Sequence, residues 1–115
     1  MKLMIAGSRS ITNIDLSQYV SNDVDLIISG GASGIDTLAE AYADKKRISK
    51  LILRPSYQRY GRGAPIIRNA QMVDIADEVL VIWDGSSKGT KNTIEYAQSK
   101  NKPVKLVTVK KADLI

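Results

Sequence analysis

Neither cysteine nor histidine occurs anywhere in this chain of 115 residues. The first absence excludes a disulfide framework, a thiolate nucleophile and a thiolate metal site, and it fits a cytoplasmic protein. The second is more restrictive. It removes the usual general base at neutral pH, the usual partner of a nucleophilic serine and the commonest metal ligand. Any catalysis must therefore run on carboxylates, tyrosine, lysine or the substrate itself, and neither a metal nor a resident cofactor is expected. Long apolar runs are missing too. The N-terminal MKLMIAG is apolar only to Gly7 and passes at once into Ser8 and Arg9. That is too short for a signal-peptide core and far too short to span a membrane, so it reads as a buried first strand.

What is present is ordinary in amount and uneven in placement. Apolar residues make up 43% and charged residues 25%, the balance of a soluble globular domain. Residues 1–115 read as a single domain, large enough for one core and too small to carry its own lid. Parts that close over a ligand would come from a second copy, so a homo-oligomer is expected. The formal net charge of +5 favours an anionic partner. Of the six arginines, Arg54, Arg59, Arg62 and Arg68 fall in one window without an Asp or Glu, and Arg9 follows the first apolar run.

The chain is organised around residues 26–36, LIISGGASGID. An apolar run breaks into very small residues, and a helical pattern starts at Ile35. Glycines allow φ > 0 and close approach to the main chain, while the first amides of a helix lack intrahelical partners, a combination that suits anions. A tight connection between strand and helix would account for the same residues.

In order, Lys2 to Ala6 reads as a strand, and a short helix is expected around Asp15 to Val20. Asp25 to Ile28 is the second strand. Ile35, Leu38, Ala39, Tyr42 and Ala43 mark one face of a helix ending near Lys46. Lys50 to Leu53 is the third strand, followed by a long loop, SYQRYGRGAP. Pro65 suits the first turn of a helix whose apolar face is Ile66, Ile67, Ala70 and Val73. Glu78 to Trp83 is a fourth strand of the kind buried on both faces. The small polar loop DGSSKG leads to a helix marked by Thr90, Thr93, Ile94 and Ala97, stopped by Pro103. Val104 to Val109 is the fifth strand, and Lys110 and Lys111 form a basic tail.

This alternation predicts an α/β fold, a Rossmann-like three-layer sandwich with a five-stranded, mostly parallel sheet. Ligands bind such folds beyond the carboxyl ends of the strands, where the strand order reverses. The loops at that rim supply the candidate contacts. They are Gly7, Ser8 and Arg9; Gly30, Gly31, Ala32, Ser33, Gly34 and Asp36; and Asp84, Ser86, Ser87, Lys88, Gly89 and Thr90. Arg68 joins them from an early helical turn, with Asn69 beside it. Neither small-residue loop has the G-x-G-x-x-G spacing or the Gly-Lys-Ser/Thr ending of a P-loop, which argues against a nucleotide hydrolase of that class. Asp36 also reads as a helix cap, Asp84 as an acceptor for a ribose hydroxyl, and Glu95 as a surface residue.

Four motifs, IAGSR at 5–9, SGGASGID at 29–36, RGAPIIRN at 62–69 and DGSSKGTKNTI at 84–94, together resemble the SLOG superfamily. That superfamily joins the DNA-processing protein Smf/DprA to the Lonely Guy proteins, and the likeness is greatest to its small single-domain YspA/YpsA-related members. The resemblance implies a Rossmann-like fold that binds nucleotides or nucleotide-derived ligands, several members being sensors or processing enzymes, and a sensor, carrier or sequestering module is the role expected of this chain. It puts the family's glycine-rich phosphate motif on Gly30, Gly31 and Gly34, its Arg-Asn pair on Arg68 and Asn69, and its second small loop on Ser86, Gly89 and Thr90. Lonely Guy phosphoribohydrolases carry a catalytic Glu three residues after the Thr of that loop; Thr93 stands there in this chain, with Glu95 the nearest Glu. The first expectation is therefore binding of a nucleotide or nucleotide-derived molecule. The alternatives are a nucleotide N-glycosidase using Asp36, Asp84 or Glu95, and single-stranded nucleic acid binding through the arginine window, with Tyr57 or Tyr60 stacking on bases.

Overall fold

Five apolar runs pair into one sheet: β1 (Lys2–Gly7), β2 (Leu26–Ser29), β3 (Ser49–Ile52), β4 (Glu78–Trp83) and β5 (Val104–Thr108). The computed structural model describes residues 1–110, and Lys111 of the basic tail lies outside them. The strand order is β3-β2-β1-β4-β5, and every neighbouring pair is parallel. Parallel neighbours need a crossover, and α1 (Ile35–Lys46), α3 (Ala64–Ile75) and α4 (Lys88–Ser99) provide the regular ones.

Side chains alternate across each strand, so every central strand feeds two cores. Leu3 and Ile5 of β1, Ile27 of β2 and Leu80 and Ile82 of β4 pack with Ile35, Ala39 and Ala43 of α1 on one face. Met4, Ala6, Ile28, Val79 and Val81 pack on the other with Met72 and Val73 of α3 and Ile94 and Ala97 of α4. This double burial explains the unbroken Val79–Ile82 run. The result is a three-layer Rossmann-like sandwich with α3 and α4 side by side. Among the described residues no helix is long and apolar enough to cross a membrane.

Three local expectations change. The short helix at 15–20 shrinks to one 3-10 turn, Leu16–Gln18, with the Asp15 carboxylate accepting from the Ser17 amide. Only Leu16 of that turn is buried, which is too little apolar contact to hold a longer helix. The arginine-rich loop coils instead into α2 (Tyr57–Tyr60) and a 3-10 turn, Gly61–Gly63, that runs straight into α3. Pro65 sits in the first turn of α3, as its fixed φ favours. Finally, α4 starts at Lys88, ahead of Thr90, because the preceding turn is tightened by Asp84.

Candidate functional site

The chain leaves β1 toward β2 on one side, while β4 lies on the other, so the strand order reverses between β1 and β4. Connections diverge there and leave a crevice at the carboxyl ends. A cavity of about 400 Å³ occupies it. Ala6 and Met72 reach it from the apolar core, Arg9 and Ser10 from the loop after β1, and Ala32 and Asp36 from the loop and first turn leading into α1. Arg68 and Asn69 come from α3, and Asp84, Ser87, Gly89, Thr90 and Thr93 from the end of β4 and the start of α4.

Two charged side chains here are more than nine-tenths buried, Asp36 and Arg68, each with 7% of its surface exposed. Arg68 donates from Nη1 to the carbonyls of Gly30 (2.6 Å) and Leu53 (3.3 Å), and from Nε to Asn69 Oδ1 (2.8 Å). Its Nη2 has no partner among the described residues. Asp36 Oδ2 accepts from the Ala32 amide at 3.1 Å, and Oδ1 has no partner. No fully enclosed side-chain nitrogen or oxygen among the described residues lacks a hydrogen bond, so both free atoms keep some accessible surface, on residues that line the cavity. Burial pushes the Asp36 carboxyl above the usual carboxylate range; the Ala32 amide and then the Arg68 charge pull it back. Burial likewise lowers the Arg68 guanidinium, and the Asp36 charge opposes this. Gly30 stands between the two: a Cβ there would lie 2.7 Å from Arg68 Nη1 and 3.0 Å from Asp36 Oδ2.

The glycine-rich turn that the sequence offers as a phosphate cradle is bonded to its own neighbours through its carbonyls and through two amides, that of Gly31 going to Ser29 Oγ at 3.4 Å. The Gly30 carbonyl takes Arg68, the Gly31 carbonyl takes Arg54 Nη1 (3.1 Å), the Ala32 carbonyl takes Thr37 Oγ1 (3.0 Å), and the Ala32 amide goes to Asp36. Gly30, Gly31, Ser33 and Gly34 do not line the cavity. Further open donors that do border the cavity lie across from them, at the N-terminus of α4. Lys91 is the first residue to bond back, to the Ser87 carbonyl, and Ser87 makes no side-chain cap, so the amides of Lys88, Gly89 and Thr90 have no acceptor.

Asp84 closes the other side. Its Oδ1 accepts the amides of Ser86 and Ser87, both at 2.9 Å, and its Oδ2 accepts the Ser10 hydroxyl at 2.9 Å. Those backbone bonds hold its pKa down to about 2. Asp84→Ala is expected to cost about 1 kcal/mol, as loss of an acceptor for main-chain amides does, and Asp84→Asn clearly less, because the amide oxygen keeps both backbone donors. Urea unfolding at neutral pH reads the difference. The wild-type contribution is full above the unfolded value of 3.8 and is lost as pH falls toward about 2.

Of the sequence candidates, Gly7, Arg9, Ala32, Asp36, Arg68, Asn69, Asp84, Ser87, Gly89 and Thr90 come together on the cavity wall. Ser8 instead is buried, tying β4 to α1: its amide donates to the Ile82 carbonyl, its carbonyl accepts from Ile35, and its hydroxyl accepts from Asp84. Ser86 and Lys88 do not line it. Glu95 lies exposed on α4, 4.0 Å from Lys91, away from the other two acids. Ser10, Pro65, Met72 and Thr93 were not among the sequence candidates. Thr93 was recoverable, since it stands one turn beyond Thr90 on the same helix face.

Fold and site together define an α/β protein with a polar cavity at its strand-order switch point. No protein-family model, curated protein or solved structure matches the chain.

Proposed function

We propose that this protein binds a nucleotide or nucleotide-derived anion in the cavity between β1 and β4. One observation carries this reading: Asp36 and Arg68, both more than nine-tenths buried, each keep one polar atom without a partner at the cavity wall. Charged groups set this deep in a crevice, each with hydrogen-bonding capacity left over, are the mark of a site for a polar ligand. Arg68 Nη2, Arg9 and the free amides of α4 suit a phosphate, and Asp36 Oδ1 suits a sugar hydroxyl. A volume of about 400 Å³ is in the range of small-molecule sites. The resemblance of the four motifs to the SLOG superfamily supports the same ligand class.

The test is a thermal-shift and calorimetric panel of mononucleotides, NAD, ADP-ribose and cyclic nucleotides. Ligand at about 100 times Kd should add about 2.7 kcal/mol, a rise of about 10 °C in Tm for a domain of this size. No stabilisation by any of them at millimolar concentration would overturn the reading. The same incubations report turnover. Two acids on one cavity pushed in opposite directions, Asp36 up and Asp84 down, are the pattern of acid–base chemistry. Free base released by the wild type and not by Asp36→Asn would make the site a glycosidase.

A further inference from the structure

A second space of about 180 Å³ lies between α3 and α4. Ile66, Asn69 and Ala70 line it from α3, and Asn92, Thr93 and Tyr96 from α4. Those spacings put each trio on one helix face, and the faces meet because both helices cover the same side of the sheet. Asn69 and Thr93 line both spaces, so the groove adjoins the cavity.

We propose that this groove takes the nucleobase of the bound nucleotide, an inference that rests on the reading of the cavity as the phosphate and sugar site. A base has two apolar faces and an edge of donors and acceptors, and the groove offers a counterpart to each. Ile66 is 56% exposed, a large apolar side chain left open beside the groove. Tyr96 is held in place: its hydroxyl donates to Asp74 at 2.9 Å, and the Lys100 ammonium lies 5.6 Å over its ring. Asn69 has its oxygen engaged by Arg68, and among the described residues neither its amide nitrogen nor the Asn92 carboxamide has a partner. The span also fits. At 1.5 Å per residue, the step from the free amide of Thr90 to Thr93 and Tyr96 is about 5–9 Å along α4, comparable to the reach from phosphate to base in one nucleotide.

Ile66 and Asn92 line only the groove, so they separate it from the phosphate cavity. The experiment titrates inorganic phosphate, ribose 5-phosphate and the common nucleoside 5′-monophosphates into the wild type, Asn92→Ala and Ile66→Asp by calorimetry. At least one nucleotide should bind the wild type about tenfold or more tightly than ribose 5-phosphate, a gain of about 1.4 kcal/mol. Both variants should remove most of that gain and leave ribose 5-phosphate affinity unchanged. Equal affinity for ribose 5-phosphate and every nucleotide would overturn the groove assignment and leave the cavity reading intact. So would variants that weaken ribose 5-phosphate equally, or that change the oligomeric state in place of base selectivity. Absence of any binding would overturn both.

Discussion

An Arg68→Met variant is expected to lose about 3 kcal/mol of stability, the cost of stripping one member from a buried, charge-assisted network, and to bind no anion. Methionine fills much of the same volume, so the loss is of bonds rather than bulk. The Gly30 and Leu53 carbonyls, at the ends of β2 and β3, lose their shared donor, and Asn69 is released. Asp36 loses a neighbouring positive charge while burial still disfavours its ionised form, so its pKa rises further. The folded-state value is already above the unfolded 3.8, so the folded protein holds the proton more tightly. Stability linked to Asp36 is therefore full below 3.8 and declines as pH rises through the folded value. Arg68→Met should steepen that decline. Urea unfolding at pH 5 and pH 7 checks the slope, and adding Asp36→Asn should recover part of the loss, a coupling that two independent sites would not show. A variant as stable as the wild type at pH 7 would mean that the guanidinium is not the fastening described.

Gly34→Ala is expected to cost at least about 3 kcal/mol, since backbone strain and overpacking add, whereas Gly89→Ala should be neutral or stabilise by up to about 1 kcal/mol. Gly34 precedes α1 at φ 73°, ψ −126°, a region that residues with a Cβ avoid. A Cβ there would lie 2.5 Å from the Arg9 carbonyl oxygen and 2.6 Å from Arg9 Cα and the Ser8 carbonyl oxygen, main-chain atoms that cannot rotate away. Relief requires moving residues 8–10, which carry the Ser8 junction and the Arg9–Ser10 wall of the cavity. Gly89 lies in the first turn of α4 with nothing within 4 Å of an added Cβ. Thermal and urea unfolding of the two variants give the contrast directly, and equal small effects would contradict it.

Much of the architecture was legible in residues 78–83 and 35–46. A bare apolar run and a 3-4 apolar spacing are local signals, and both elements form at those bounds. The glycine-rich turn was legible as a turn and not as chemistry. Small residues announce that the main chain comes close to something; they do not say whether that something is a ligand or Arg68, Arg54 and the backbone of Ser8 and Arg9. Asp84 was legible as an acceptor at the end of β4, and the structure adds that its Oδ1 takes two amides of the turn before α4.

By itself the sequence determined the alternation of strands and helices, and with it a parallel sheet covered on both faces and a rim of small and charged loop residues at the carboxyl ends. Hydrophobic periodicity repeats over a few residues and needs no knowledge of distant partners. Only the tertiary structure decided that β1 lies beside β4, that α3 and α4 share one face, and that Arg68 reaches back 38 residues to Gly30 to stand opposite Asp36. Those are long-range choices, made by how side chains of fixed length and direction fill the space between layers.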